Sequence, residues 1–115
     1  MSNTKAQQIV KALKASKEFL AKSLHEERAS GFKKSEFICV SIDKAAFANK
    51  LTKEECEAGK KYIERHLGKH DTFTSWMRAN HPTIPVSHDR EYQSGVMMQK
   101  TRRQWVDYLI NALQS

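Results

Sequence analysis

The stretch TKEECEAGKKYIERHLG, residues 52–68, carries the clearest structural signal in the chain. Thr52 precedes Glu55 by three positions, the spacing of a capping box, in which each side chain hydrogen-bonds to the backbone N–H of the other residue. Gly68 follows as a typical helix stop. Apolar and small residues recur at helical spacing in between, so the stretch predicts a helix over about 53–67. One face of this helix is lined by Cys56, Gly59, Tyr62, Ile63, His66 and Leu67.

A first helix is predicted over residues 4–28. Thr4 and Gln7 form a second capping box at its start, and apolar residues follow at helical spacing. Gly31 is expected to end the helix as a left-handed cap.

The segment between these two helices is ambiguous. Residues 36–42 contain an apolar run that suits either a buried strand or a buried helix. The run continues through residues 45–48, an alanine-rich stretch around Phe47, and alanine is a strong helix former. We therefore expect a buried helix of about four turns, with a strand over 36–42 as the alternative.

A short fourth helix follows the central stretch. Asp71 or Thr72 caps its start, and Pro82 ends it because the residue before a proline avoids helical geometry. Residues 81–89, which contain two prolines and two histidines, form the longest irregular segment. Loops of this kind often carry function.

The last helix is predicted over residues 90–113, with Gly95 as a break or kink near its start. Its apolar face carries Trp105, which we expect to anchor the core together with Trp76. Taken together, the segments predict a single all-α domain over residues 1–115, a compact bundle of four to five helices.

Met97 and Met98 leave an alternative open on this last helix. Methionine adapts to irregular partners, so the pair could form a hydrophobic groove instead of joining the core. If the apolar face of 92–113 were exposed, a protein partner or a homodimer would become the leading expectation.

The composition indicates a folded, basic protein. The chain has 115 residues, a formal net charge of +7 and 39% hydrophobic residues. A basic balance favours anionic partners such as nucleic acid or an acidic protein face. Cys39 and Cys56 form no CxxC pair, and the sequence shows neither a secretory signal nor the ~18 apolar residues that a membrane span needs. We expect a cytoplasmic protein with reduced thiols and no membrane partner.

Histidines and cysteines do not form a recognisable metal or catalytic motif. His66 and His70 are four residues apart, but Gly68 lies between them, so the pair is expected to straddle a helix end. The chain lacks HExxH, GxSxG, P-loop and GxGxxG sequences. The sequence therefore predicts a protein that is not an enzyme and has no catalytic residues and no cofactor. It favours no metal site, although metal binding by the histidines stays open.

Lysine and arginine form three clusters in the sequence, and phosphate binding needs such clusters. The first helix carries a stripe of lysines at i+3 and i+4 spacing, which Lys33 and Lys34 extend. Lys60, Lys61 and Arg65 form a second cluster, which glutamates interrupt. A third cluster lies on the last helix. As partner-binding residues the sequence predicts cations of the first and third clusters: Lys11, Lys14, Lys17, Arg102 and Arg103.

The order of features resembles small uncharacterised accessory proteins of tailed bacteriophages and prophages. The resemblance spans about 37–110 and rests on Phe37-Ile38-Cys39 with Ile42-Asp43, Ile63 with Leu67-Gly68, Trp76, Arg103-Gln104-Trp105 and Leu109-Ile110. It implies an early or accessory product that binds and redirects a host machine, including a defence system, and it assigns no functional residues.

These observations favour a non-enzymatic binding protein, of phage or prophage origin, that modulates a host macromolecule during host takeover or anti-defence. Its expected place is the host bacterial cytoplasm. Its expected partner is a host protein with an acidic surface or nucleic acid. The first alternative is a small basic nucleic-acid-binding protein, and the last is an enzyme.

Overall fold

The computed structural model describes residues 4–22, 36–93 and 96–114. Within these residues the protein is a compact all-α bundle, as predicted. The helices are α1 (Lys5–Lys22), α2 (Glu36–Ala45), α3 (Lys53–Leu67), α4 (Phe73–Asn80) and α5 (Gln99–Gln114). Between α4 and α5 lie a short 3-10 helix (His88–Arg90) and two antiparallel strands, β1 (Tyr92–Gln93) and β2 (Val96–Met97). None of the described helices is long and apolar enough to cross a membrane.

Helix α1 lies at the centre of the bundle and packs against α2, α3 and α5. Its buried Ser16 shares a hydrogen bond with Ser41 of α2, with 2.5 Å between the hydroxyl oxygens. Against α3 the helices approach closely at Gly59, where a Cβ atom would lie 2.7 Å from the Cβ of Ala12. Because real Cβ atoms do not approach so closely, a glycine is what allows α1 and α3 to pack at this distance.

Two helices begin with the predicted capping boxes, and both boxes are confirmed. Thr4 and Gln7 exchange hydrogen bonds of 2.9 and 3.1 Å between side chain and backbone. Thr52 and Glu55 do the same at 2.8 and 3.1 Å. Each box satisfies N–H groups that have no partner inside the helix. The end of the first predicted helix, with its cap Gly31, lies outside the described residues.

Helix α4 begins after Thr72, which was one of two candidate caps. The Thr72 hydroxyl accepts a hydrogen bond from the backbone N–H of Ser75 at 3.1 Å. The helix ends at Asn80, before Pro82, as predicted.

The ambiguous segment 36–42 is helical, but the helix ends at Ala45. The prediction of a buried helix through residue 48 is therefore wrong in its last part. Phe47 lies in the turns over 46–50 with 97% of its surface exposed. The reason is the next helix, because α3 starts at the cap Thr52 and the chain has to reverse direction within a few residues.

Aromatic residues form the core between α2, α4 and α5. Trp76 and Trp105 are buried, as predicted for core anchors, and their ring centroids lie 6.4 Å apart. Trp105 also lies 6.0 Å from the rings of Phe37 and Phe73. Met97 is buried with them. The apolar residues of α5 that are thus covered within the chain are Trp105, Val106, Leu109 and Ile110.

The last helix begins at Gln99, so the prediction of a helix from residue 90 is wrong over its first part. Glu91 provides the physical reason. Its buried carboxylate accepts hydrogen bonds from the backbone N–H groups of Phe73 and Thr74, at 2.5 and 3.3 Å, and from the Thr74 hydroxyl at 2.8 Å. A carboxylate at the start of α4 satisfies N–H groups and suits the helix dipole. This contact holds Glu91 against α4, and the chain continues as β1 and β2 instead of a helix.

Candidate functional site

The predicted partner-binding lysines of α1 are partly used inside the bundle. Lys11 Nζ lies 3.1 Å from Oε2 of the buried Glu55 on α3. Lys17 Nζ lies 2.5 Å from Oδ1 of Asp107 on α5. These ion pairs compensate both positive charges and join α1 to its neighbours, so two of the five predicted residues have acidic partners within the chain.

The other predicted residues differ in their exposure. Arg102 is 4% exposed, and its guanidinium lies 5.2 Å from the centroid of the Phe37 ring. This packing leaves little of the Arg102 side chain at the surface. Lys14 is exposed and Arg103 is half-buried, and neither forms an ion pair with another described residue.

A different cationic surface lies between α1 and α3. It is a groove of about 420 Å³, here called the α1–α3 groove, lined by Lys5, Ile9, Ala58, Lys61, Tyr62, Arg65 and His66. Its three cations, Lys5, Lys61 and Arg65, are exposed. Within the described ranges none of them forms an ion pair. The groove therefore presents three uncompensated positive charges around a concave surface.

The helical repeat explains how these residues meet. Lys61 and Arg65 lie four positions apart on α3, as do Tyr62 and His66, so the members of each pair are neighbours on the helix surface. Lys5 adds a third cation from the first turn of α1. The close packing of α1 on α3 brings these groups to one groove.

Two rings line the groove beside the cations. Tyr62 is half-buried and His66 is exposed, and their rings stack with 5.0 Å between centroids and 12° between planes. Burial raises the pKa of Tyr62. Burial, followed by the charge of the nearby His70, lowers the pKa of His66. Both rings are therefore uncharged at neutral pH, and the groove combines a neutral stacked pair with three cations.

A second cavity, of about 480 Å³, is a weaker candidate. Phe73, Arg90, Glu91 and Lys100 are among its lining residues. The Glu91 carboxylate is already held by the start of α4, and Nδ1 of His88 lies 3.4 Å from it. The acidic group of this second cavity thus stabilises the start of α4, whereas the cations of the α1–α3 groove form no ion pair with a described residue.

The cysteines and histidines that the structure describes form no competing site. Burial raises the pKa of the Cys39 thiol to about 11 and also raises that of Cys56. Both sulfur atoms are therefore protonated at neutral pH and are weak nucleophiles. Among the residues that the structure describes, no three His, Cys, Asp or Glu side chains are grouped to hold a metal ion.

Comparison with protein-family models, curated proteins and solved structures finds no match for this chain. The candidate site rests on its own geometry, and the sequence alone does not reveal it. In the sequence, Tyr62 and His66 share one helix face with apolar residues, and Lys61 and Arg65 belong to a cluster that glutamates interrupt. The signal that points to the groove is the coincidence of two i,i+4 pairs, offset by one residue, on the same helix.

Proposed function

We propose that this protein is a non-enzymatic binding protein that docks on an anionic macromolecule through the α1–α3 groove. The supporting observation is the set of cations, Lys5, Lys61 and Arg65, which have no acidic partner among the described residues. Positive charges that line a concave surface focus the local potential and raise the rate at which anionic partners associate. The side chains of these three cations are exposed, which leaves them available for a partner.

The setting we propose is that of a phage or prophage accessory protein that modulates a host macromolecule in the bacterial cytoplasm. Two observations support this setting: the resemblance over residues 37–110 and the formal net charge of +7. An acidic host protein and a nucleic acid both supply the negative charge that the groove would bind.

Charge reversal in the groove tests the docking surface. Lys61→Glu/Arg65→Glu should elute from heparin-agarose at clearly lower salt than the wild-type protein, because two attractive charges become repulsive. The matched control is Lys14→Glu/Arg103→Glu, which changes the net charge equally at two accessible positions outside the groove. This control should shift the elution much less. Circular dichroism of both variants checks that the bundle is still folded.

Two results would contradict the proposal. Equal shifts for the two variants would mean that heparin senses only the net charge of the protein. A larger shift for Lys14→Glu/Arg103→Glu would return the binding surface to the first and third clusters of cations predicted from the sequence.

A further inference from the structure

We infer that the α1–α3 groove binds single-stranded nucleic acid, with a base stacked on the Tyr62–His66 ring pair and backbone phosphates against Lys5, Lys61 and Arg65. This inference rests on the proposed function, since it assigns a ligand class to the same groove. Single-strand binders typically combine a positively charged groove with aromatic rings on which bases stack. The groove places both features side by side.

Neighbouring rings hold the ring pair in place. The Tyr62 ring lies nearly parallel to the exposed His66 ring, and the rings of His66 and the buried Trp76 form a T-shaped contact with 6.1 Å between their centroids. A ring held by two neighbours loses little conformational freedom when a base stacks on it. Phe47 is the contrasting case, because its ring is 97% exposed but contacts no other ring in the described part of the chain.

The ring pair also favours single strands over duplexes. In a double helix the bases stack on one another, and a base must leave the stack to reach an aromatic side chain outside it. Cations alone would bind the phosphates of either form. The neutral rings beside the cations should therefore make the groove bind unpaired bases more tightly than a duplex.

The three cations set the expected salt dependence. Each single-strand phosphate neutralised by a cation contributes about −0.7 to the slope of log K against log salt. Three phosphate contacts, at Lys5, Lys61 and Arg65, thus predict a slope of about −2. Lys61→Glu/Arg65→Glu should flatten this slope and weaken binding.

Fluorescence anisotropy with a labelled oligo-dT of about 15 nucleotides tests the ligand class, with a duplex of equal length beside it. The single strand should bind more tightly than the duplex at the same salt. Tyr62→Leu and His66→Leu should each weaken oligo-dT binding by roughly 5-fold or more, the range expected for losing one stacked base. Both variants should lose much less affinity for heparin-agarose than for oligo-dT, because heparin has no bases to stack on the rings. Phe47→Leu, which removes an exposed ring outside the groove, should bind oligo-dT like the wild type.

The outcomes separate this inference from the proposed function. Unchanged oligo-dT affinity in His66→Leu, or equal losses for oligo-dT and heparin, would overturn the single-strand ligand. The anion-binding proposal would still stand if Lys61→Glu/Arg65→Glu shifts the heparin elution. Tighter binding of polyglutamate than of oligo-dT would assign the groove to an acidic protein. Thermal melting identifies any variant that fails to fold. If Tyr62→Leu fails to fold, His66→Leu alone tests the stacking, because His66 is exposed and its replacement should not disturb the bundle.

Discussion

Three lysines of α1 fall into two groups that differ in what the neighbouring helices place opposite them. Lys11 and Lys17 meet carboxylates, Glu55 on α3 and Asp107 on α5. Lys5 meets no carboxylate among the described residues and lies in the α1–α3 groove. The difference teaches that the availability of these three charges depends on the facing helix, whereas Lys22 is paired within α1 itself, with 2.9 Å between its Nζ and Oε1 of Glu18.

The comparison requires α1 and α3 to stay closely packed, and Gly59 allows this. In Gly59→Val a Cβ would lie 2.7 Å from the Cβ of Ala12 and 3.1 Å from Cδ1 of Ile42. Such overpacking should lower the free energy of unfolding by about 2–3 kcal/mol, as measured by urea denaturation. Glu57→Val places the same side chain at an exposed position of α3 and should cost less than about 0.7 kcal/mol. Equal losses in the two variants would show that the close approach is not required.

The two groups of lysines should also differ in what their removal changes. Lys11→Ala leaves the buried Glu55 carboxylate without its cation, so the free energy of unfolding should fall by about 1 kcal/mol. Lys5→Ala should change it by less than about 0.5 kcal/mol, because the side chain is exposed. Elution from heparin-agarose should show the opposite order, with the larger shift for Lys5→Ala. The comparison fails if Lys11→Ala loses heparin affinity as strongly as Lys5→Ala while keeping its stability.

Acid titration examines the Lys11–Glu55 pair in another way. The backbone N–H of Thr52 donates a hydrogen bond to Glu55, and this bond and the Lys11 side chain hold the pKa of Glu55 below its ordinary value of 4.5. Because the folded state resists protonation of Glu55, this stabilisation is present above pH 4.5 and is lost as the pH falls below that value. Urea denaturation from about pH 6 to pH 3 should show a shallower acid loss in Glu55→Gln than in the wild type. Parallel curves would mean that other carboxylates dominate.

Local signals made much of the fold predictable from the sequence. The boxes at Thr4 and Thr52 span four residues each, so a short pattern contains all the interacting groups. Glu91 shows where this approach stops, because its hydrogen bonds reach Phe73 and Thr74, far away in the sequence. The spacing of apolar residues over 90–98 cannot show a hydrogen bond to a segment so far away in the sequence.

The candidate site was less predictable for the same reason. Lys11 and Glu55 are 44 positions apart, and Lys17 and Asp107 are 90 positions apart. The spacing of lysines on α1 therefore could not show that two of them are paired. Arg102 differs again, since its burial depends on the Phe37 ring of another helix.

The smallest expected effect tests whether an ion pair within the chain makes a lysine less available to a partner. Asp107→Asn releases Lys17, and both side chains of this pair are nearly half-exposed, so stability should change by less than about 0.5 kcal/mol. The freed lysine should slightly raise the salt needed for elution from heparin-agarose. Asp89→Asn is the matched control, because it removes one negative charge at an exposed position without releasing a lysine. If the two variants elute together, the gain comes from net charge alone, and Lys17 was as available in its ion pair as Lys5 is in the groove.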